Sequence, residues 1–336
     1  MKPNLRAGAA AVCLLLASGG ALCLRAQQTW QANLGAQSKD MGTQAVAFLP
    51  NELWIHVGDS ITWTSQSGDI HTVSFLMMGQ PLTDFTTGCP GFSPSGVIFD
   101  GIHCVSAPPL VKGQTFTVKF NAVGNFPLLC LVHPHMTGVI HVLAQSATLP
   151  HDQAFYNVQA AQQAKQLLSD TDGMAGHGNM GGIGDMLSAS LISGKAQVAT
   201  GWGEMNGNGA GFQSTAVLRF LNGTIAVHAG DTVEWTVKDA ATPHTVTFGT
   251  EPDNPGPPSS NVTPDADGAL HATLHFVGES AHSGIIGAAP MNQIGVPISP
   301  PGVTRFRVTF LHAGTYDYIC ALHDDLGMVG KVIVLP

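Results

Sequence analysis

Tyr316-Asp317-Tyr318-Ile319-Cys320-Ala321-Leu322-His323-Asp324-Asp325-Leu326-Gly327-Met328 is the stretch whose reading decides the fold. An aromatic, alternating run ends on a cysteine, and a histidine and a methionine follow at spacings of three and eight residues. Upstream, Pro243-His244-Thr245-Val246-Thr247-Phe248 places a lone histidine in a strand-like segment. A thiolate, two imidazoles and a thioether form a donor set that holds copper in either oxidation state in one compromise geometry. The candidate ligands are therefore His244, Cys320, His323 and Met328. An earlier set is spelled the same way: His71, Cys130, His133 and Met136.

The repetition extends beyond the ligands. Ala47-Phe48-Leu49-Pro50 through Asp59 and Trp63 aligns with Arg219-Phe220-Leu221-Asn222 through Asp231 and Trp235. His71 and His244 follow those tryptophans by eight and nine residues. Only the stretch before each cysteine differs much in length, which reads as two copies of one fold with variable loops. A chain of 336 residues suits two domains, each able to bury a core.

Period-two alternation between turn residues dominates both copies. Leu53, Ile55, Val57, Ile61 and Trp63 bracket Gly58-Asp59, and Ile225, Val227, Val233, Trp235 and Val237 bracket Gly230-Asp231. Phe116, Val118 and Phe120, and Phe306, Val308 and Phe310, lead toward the two cysteines. The expected fold class is all-β: two tandem Greek-key β-sandwich domains joined by a helix and a Gly/Met-rich linker. The helix is expected over 151–170, with Tyr156, Ala160, Ala164 and Leu167 on one face. Asp172 to Gly184, with Met174, His177 and Met180, reads as linker. Lys195-Ala196-Gln197-Val198-Ala199-Thr200-Gly201 opens the second domain, as Gln31-Ala32-Asn33-Leu34-Gly35-Ala36 opens the first. The expected segments are 1–26 as signal peptide, 27–147 as first domain, 148–194 as helix and linker, and 195–336 as second domain.

Lys2 and Arg6 precede an apolar run that ends in Leu24-Arg25-Ala26, the pattern of an export signal cleaved near Ala26. Leu22 stands where lipid attachment at Cys23 would want a small residue. Cleavage implies a periplasmic or secreted protein with no stable membrane insertion. It also moves the formal charge from −9 to −12, since Lys2, Arg6 and Arg25 leave and no acidic residue does. Nucleic acid is excluded as a partner for want of clustered Lys and Arg. An acidic surface suits solubility or a basic or neutral redox protein. Of the six cysteines, Cys13 and Cys23 leave with the signal and two are candidate ligands. Cys89 and Cys104 remain, in a Gly- and Pro-rich loop, and in an oxidising compartment they are expected to form a disulfide.

These residues resemble the cupredoxin family across nearly all of the chain outside the signal and linker. The loop from Cys320 to Met328 is similar to that of plastocyanin, and the shorter loop from Cys130 to Met136 to that of amicyanin. The resemblance implies two type 1 blue copper ions, with His71, Cys130 and His133, and His244, Cys320 and His323, as near-trigonal ligands and Met136 and Met328 axial. His135 stands as a competitor to His133. Outer partners are expected to hold each imidazole by its second nitrogen.

The resemblance implies single-electron transfer between redox proteins. Two-domain laccases and copper nitrite reductases are the alternative, and copper buffering or delivery a third reading. The enzymes place a histidine directly beside the blue-copper cysteine. Here the neighbours are Leu129 and Leu131, and Ile319 and Ala321, which favours a carrier over an enzyme. His103, His271, His275 and His282 are expected to be solvent-exposed loop residues, and Asp324 and Asp325 a solvated turn.

Overall fold

The computed structural model describes residues 26–77, 89, 91–133, 135–169, 196–240, 242–287 and 303–336. The export-signal reading of residues 1–25 and the Met/His linker reading lie outside the described residues. The protein is mostly β. In the first half, β1 (Thr29–Gln37) and β2 (Thr43–Leu49) form a hairpin, followed by β3 (Glu52–His56) and β4 (Ser60–Ser65). Short strands β5 (Ser74–Phe75), β6 (Val97–Phe99) and β7 (Val105–Ser106) precede β8 (Thr115–Phe120), β9 (Gly124–Leu129) and β10 (Thr137–Leu143).

Helix α1 (Gln153–Ser169) follows, where the periodicity expects it. Asp152 accepts the Phe155 N–H through its side chain at 2.9 Å, satisfying one of the free donors of the first turn. Tyr156, Ala160 and Leu167 are buried on the helix's inner face, and Ala160 and Leu167 pack with Ala45, Ala47 and Leu49 of β2. The Tyr156 ring meets Trp30 edge-on at 5.7 Å, and its hydroxyl accepts the Trp54 N–H at 2.9 Å.

The second half repeats the order with β11 (Ala196–Asn208), β12 (Gly211–Leu221), β13 (Thr224–His228), β14 (Thr232–Val237) and β15 (Thr247–Phe248). Then come β16 (Thr263–Pro264), β17 (Leu270–Leu274), β18 (Ala281–His282), β19 (Arg305–Phe310), β20 (Gly314–Ile319) and β21 (Val329–Leu335). In each half two sheets face one another: β3-β10-β9-β5-β7 covers the first, and β13-β21-β20-β15-β18 the second. The interiors follow from the alternation. Trp63 pairs in register with Phe116, Trp235 with Phe306, and all four are buried. Each such aromatic contributes roughly 4–6 kcal/mol of burial, an upper figure before chain entropy is set against it.

The two remaining sheets are continuous with each other. β12 pairs antiparallel with β2, Ser214 opposite Val46 through Val217 opposite Thr43, so one sheet runs β16-β17-β19-β14-β11-β12-β2-β1-β4-β8-β6 among the described residues. The two halves are therefore also joined by strand pairing, a contact the sequence did not name. Each of these strands would otherwise leave a row of unpaired backbone groups at an edge, and the pairing satisfies both rows at once. Asn51 and Asn208 exchange amide hydrogen bonds beside this seam, and Thr215 donates its hydroxyl to the Leu167 carbonyl.

The Cys89–Cys104 disulfide is present, with Cα atoms 5.6 Å apart. The four loop histidines behave differently from one another. His103 and His275 are exposed, but His271 is half-buried and His282 is buried on β18. The expectation of exposure is corrected for His282: its Nδ1 lies 2.8 Å from the Thr247 hydroxyl and its Nε2 3.0 Å from the Pro255 carbonyl. Pairing of β18 with β15 carries it inward, a contact 35 residues away in sequence.

Candidate metal centres

Each candidate ligand is placed by backbone pairing. His71 exchanges two backbone hydrogen bonds with Leu110, at 3.1 and 2.8 Å, and His244 does the same with Ile286, at 2.9 and 2.8 Å. Cys130 and Cys320 follow the last residues of β9 and β20. The loops after them close on themselves: the Cys130 N–H donates to the Met136 carbonyl and the Cys320 N–H to the Met328 carbonyl, both at 3.0 Å. Met136 and Met328 are buried in the hydrophobic core that also contains the two cysteines.

The fold thus gathers His71, Cys130 and His133 in one cluster and His244, Cys320 and His323 in another. In each, the donor atoms all lie within 4.8 Å of one another. Cys130 Sγ is 3.7 Å from His133 Nδ1, and Cys320 Sγ is 3.4 Å from His323 Nδ1 and 4.0 Å from His244 Nδ1. His135 is turned away, its ring edge-on to Phe212 at 6.1 Å.

The surroundings of the sulfurs are matched. The Thr72 N–H points at Cys130 Sγ and the Thr245 N–H at Cys320 Sγ, both at 3.3 Å. Each threonine hydroxyl accepts the N–H of the residue after the cysteine, Leu131 at 2.8 Å and Ala321 at 2.7 Å. Burial alone would raise the thiol pKa, but His133 and His71 hold Cys130, and His323 and His244 hold Cys320, well below the usual thiol range. The paired imidazoles favour the thiolate over the thiol at both sulfurs, and the thiolate is the form that binds metal. Burial opposes charging of His133 and His323 as well, yet Asp69 and the thiolates push both up to about 10.

The outer nitrogens have partners that the sequence did not name. His71 Nε2 lies 2.7 Å from the Ser67 hydroxyl and His244 Nε2 3.4 Å from Asp239. His133 Nε2 lies 3.0 Å from Asp69 in an ion contact, and His323 Nε2 is 3.8 Å from the other oxygen of the same carboxylate. Behind the strand histidines sit two bulge glycines, Gly35 at φ 62° and Gly201 at φ 65°. A Cβ on Gly35 would lie 2.7 Å from His71 Nε2, and one on Gly201 would overlap the His244 ring. Both glycines recur in the aligned opening segments. Ser67 and Asp239 stand at one repeat position, four residues after Trp63 and Trp235, but differ in residue type, and Asp69 is matched by Thr242, so residue identity alone offers no pattern for finding them.

The donor sets fit copper. Among the described residues His71 Nδ1 is buried with no hydrogen-bond partner, and in each cluster a buried cysteine sulfur lies within 4.8 Å of two imidazole nitrogens. Soft sulfur with imidazole in a dry pocket is the chemistry of a copper or zinc site.

A β-sandwich carrying buried His, Cys and His donors with a methionine in the closing loop defines a class of single-metal protein. Comparison with known proteins is specific. Residues 209–335 match the family model for copper binding proteins, plastocyanin/azurin family. Amicyanin-alpha of Methylorubrum extorquens is 31% identical over 107 residues, covering 32% of this chain and 73% of that protein. Plastocyanin of Ginkgo biloba is 27% identical over 99 residues, 29% of this chain and 88% of that protein. A solved structure of a reduced amicyanin variant is 21% identical, covers 34% of this chain and 82% of its own, and has a TM-score of 0.23. The chain belongs to the plastocyanin/azurin family of copper-binding cupredoxins.

Proposed function

We propose that this copper-binding electron-transfer protein is an exported carrier with two type 1 sites, one in each half, passing single electrons between redox proteins. The observation that carries the reading is the pair of buried His, Cys, His clusters, alike in their threonine-held sulfurs and closing loops. His71, Cys130 and His133 would hold one ion and His244, Cys320 and His323 the other, with Met136 and Met328 beside them. Bound copper would supply a one-electron couple at each site.

The chain's own residues account for the rest. Ser67, Asp69 and Asp239 orient the imidazoles from outside, so the ligands need little rearrangement between oxidation states. The closed loops and core packing keep water away from the two cysteines, which are no more than 2% exposed. Among the described residues no helix is long and apolar enough to cross a membrane. Leu129, Leu131, Ile319 and Ala321 beside the cysteines favour a carrier over an oxidase or nitrite reductase.

Redox titration of the copper-loaded chain tests this. Two reversible one-electron steps, with intense visible absorption bleaching at each, are expected. Catalytic consumption of oxygen or nitrite would overturn the carrier reading, and absence of reduction at either site would overturn both.

A further inference from the structure

Asp69 belongs to the first half by sequence, yet its carboxylate lies between the two centres. One oxygen is 3.0 Å from His133 Nε2 and the other 3.8 Å from His323 Nε2. The Asp69 side chain is only 4% exposed, and both imidazoles are equally enclosed. A buried carboxylate is costly unless it is paired, and here its partners are one imidazole from each site.

The geometry is held from several sides. The Ile70 N–H donates to Asp69 Oδ1 at 2.8 Å, and the Ser67 hydroxyl to the Asp69 carbonyl at 3.2 Å. Gly68 lies so close to Leu326 in the second site's loop that a Cβ there would overlap it. Arg219 donates to the carbonyls of Leu326 and Asp40, both at 2.8 Å, tying that loop to the first half. The continuous sheet through β2 and β12 fixes the two halves beneath.

We propose that Asp69 is a positioning residue shared by both sites, joining them through His133, its carboxylate and His323 into one coupled pair that exchanges electrons within the chain. The proposal rests on the two-site reading above. In the exchange one electron leaves the reduced site and arrives at the oxidised one; no bond forms or breaks, and no proton or outside reactant is needed. The chain then acts as a two-electron store entered one electron at a time. Docking a partner at either half serves both sites.

The test uses full-length chain in the single-site backgrounds Cys130→Ser and Cys320→Ser, with Cu(II) as probe. Asp69→Asn should weaken copper binding about 10- to 100-fold and shift the visible bands at both sites, more at the first, where the contact is shorter. Asp239→Asn should affect the second site alone. An Asp69→Asn effect confined to the first site overturns the shared role. The second arm needs no variant at Asp69: a wild-type chain loaded with two coppers is reduced by half an equivalent in a flash. Redistribution between the sites, read against the single-site spectra, should proceed at a rate independent of chain concentration. A rate proportional to concentration overturns the coupling while leaving the carrier reading intact. A wild-type chain holding fewer than two coppers overturns both.

Discussion

Substituting Gly201 by alanine separates two costs that the fold imposes at one atom. Gly201 has φ 65°, and its Cβ would overlap the His244 ring, which is fully buried. The left-handed backbone alone costs a non-glycine residue roughly 1–2 kcal/mol. Driving a side chain into a packed ring adds roughly 1–3 kcal/mol, for an expected loss of about 2–5 kcal/mol. Gly268, at φ 81° with nothing within 4 Å of an added Cβ, isolates the first cost, so Gly268→Ala should lose only about 1–2 kcal/mol. Urea unfolding of the metal-free variants measures both. Because His244 must turn to admit the methyl, its contact with Asp239 is lost, and the spectrum of the second site should change while the first is untouched. Equal stabilities for the two variants, or an unaltered second-site spectrum in Gly201→Ala, would refute the close approach of β11 to His244.

Further outcomes follow from other contacts. Thr72→Val leaves the Leu131 N–H without its acceptor and should cost about 1–3 kcal/mol in urea unfolding, with Thr245→Val behaving alike through Ala321. Arg307→Ala removes the 2.7 Å contact to the largely buried Glu234 and leaves it with Arg305 at 3.7 Å, and a loss of about 2–3 kcal/mol is expected, partly recovered by adding Glu234→Gln. Cys89→Ser with Cys104→Ser opens a loop of 15 residues and should cost about 3 kcal/mol, read as a lower unfolding temperature. All three tyrosines have raised pKa values, chiefly through burial, with Tyr156 pushed up to about 12. The neutral phenol is the form the fold favours, so their stabilisation is intact below pH 10 and declines as pH rises from about 10 toward 12. A tyrosinate absorbance step at the ordinary value near pH 10 would contradict this.

The candidate ligand clusters were legible because their chemistry is local. Cysteine, histidine and methionine lie within nine residues of one another, and the matching upstream histidine sits at a near-constant distance from a tryptophan. Strand alternation and the helix face were legible for the same reason: Tyr156, Ala160 and Leu167 are buried as their spacing requires. What the sequence concealed depends on pairing across the chain. The β2 and β12 edges carry no pattern that names their partner, so the continuous sheet was not visible. Asp69 lies two residues before His71, whereas Thr242 holds that place before His244, so its role breaks the repeat that revealed everything else. His282 looked like a loop residue because the short strand that buries it has only two residues.

The central claim is tested most directly by counting copper alongside the visible spectrum in three chains. The account predicts two coppers per chain in the wild type and one in each of Cys130→Ser and Cys320→Ser, the two single-site spectra summing to that of the parent. A wild-type chain that binds one copper, or one whose colour survives intact in either serine variant, would contradict it.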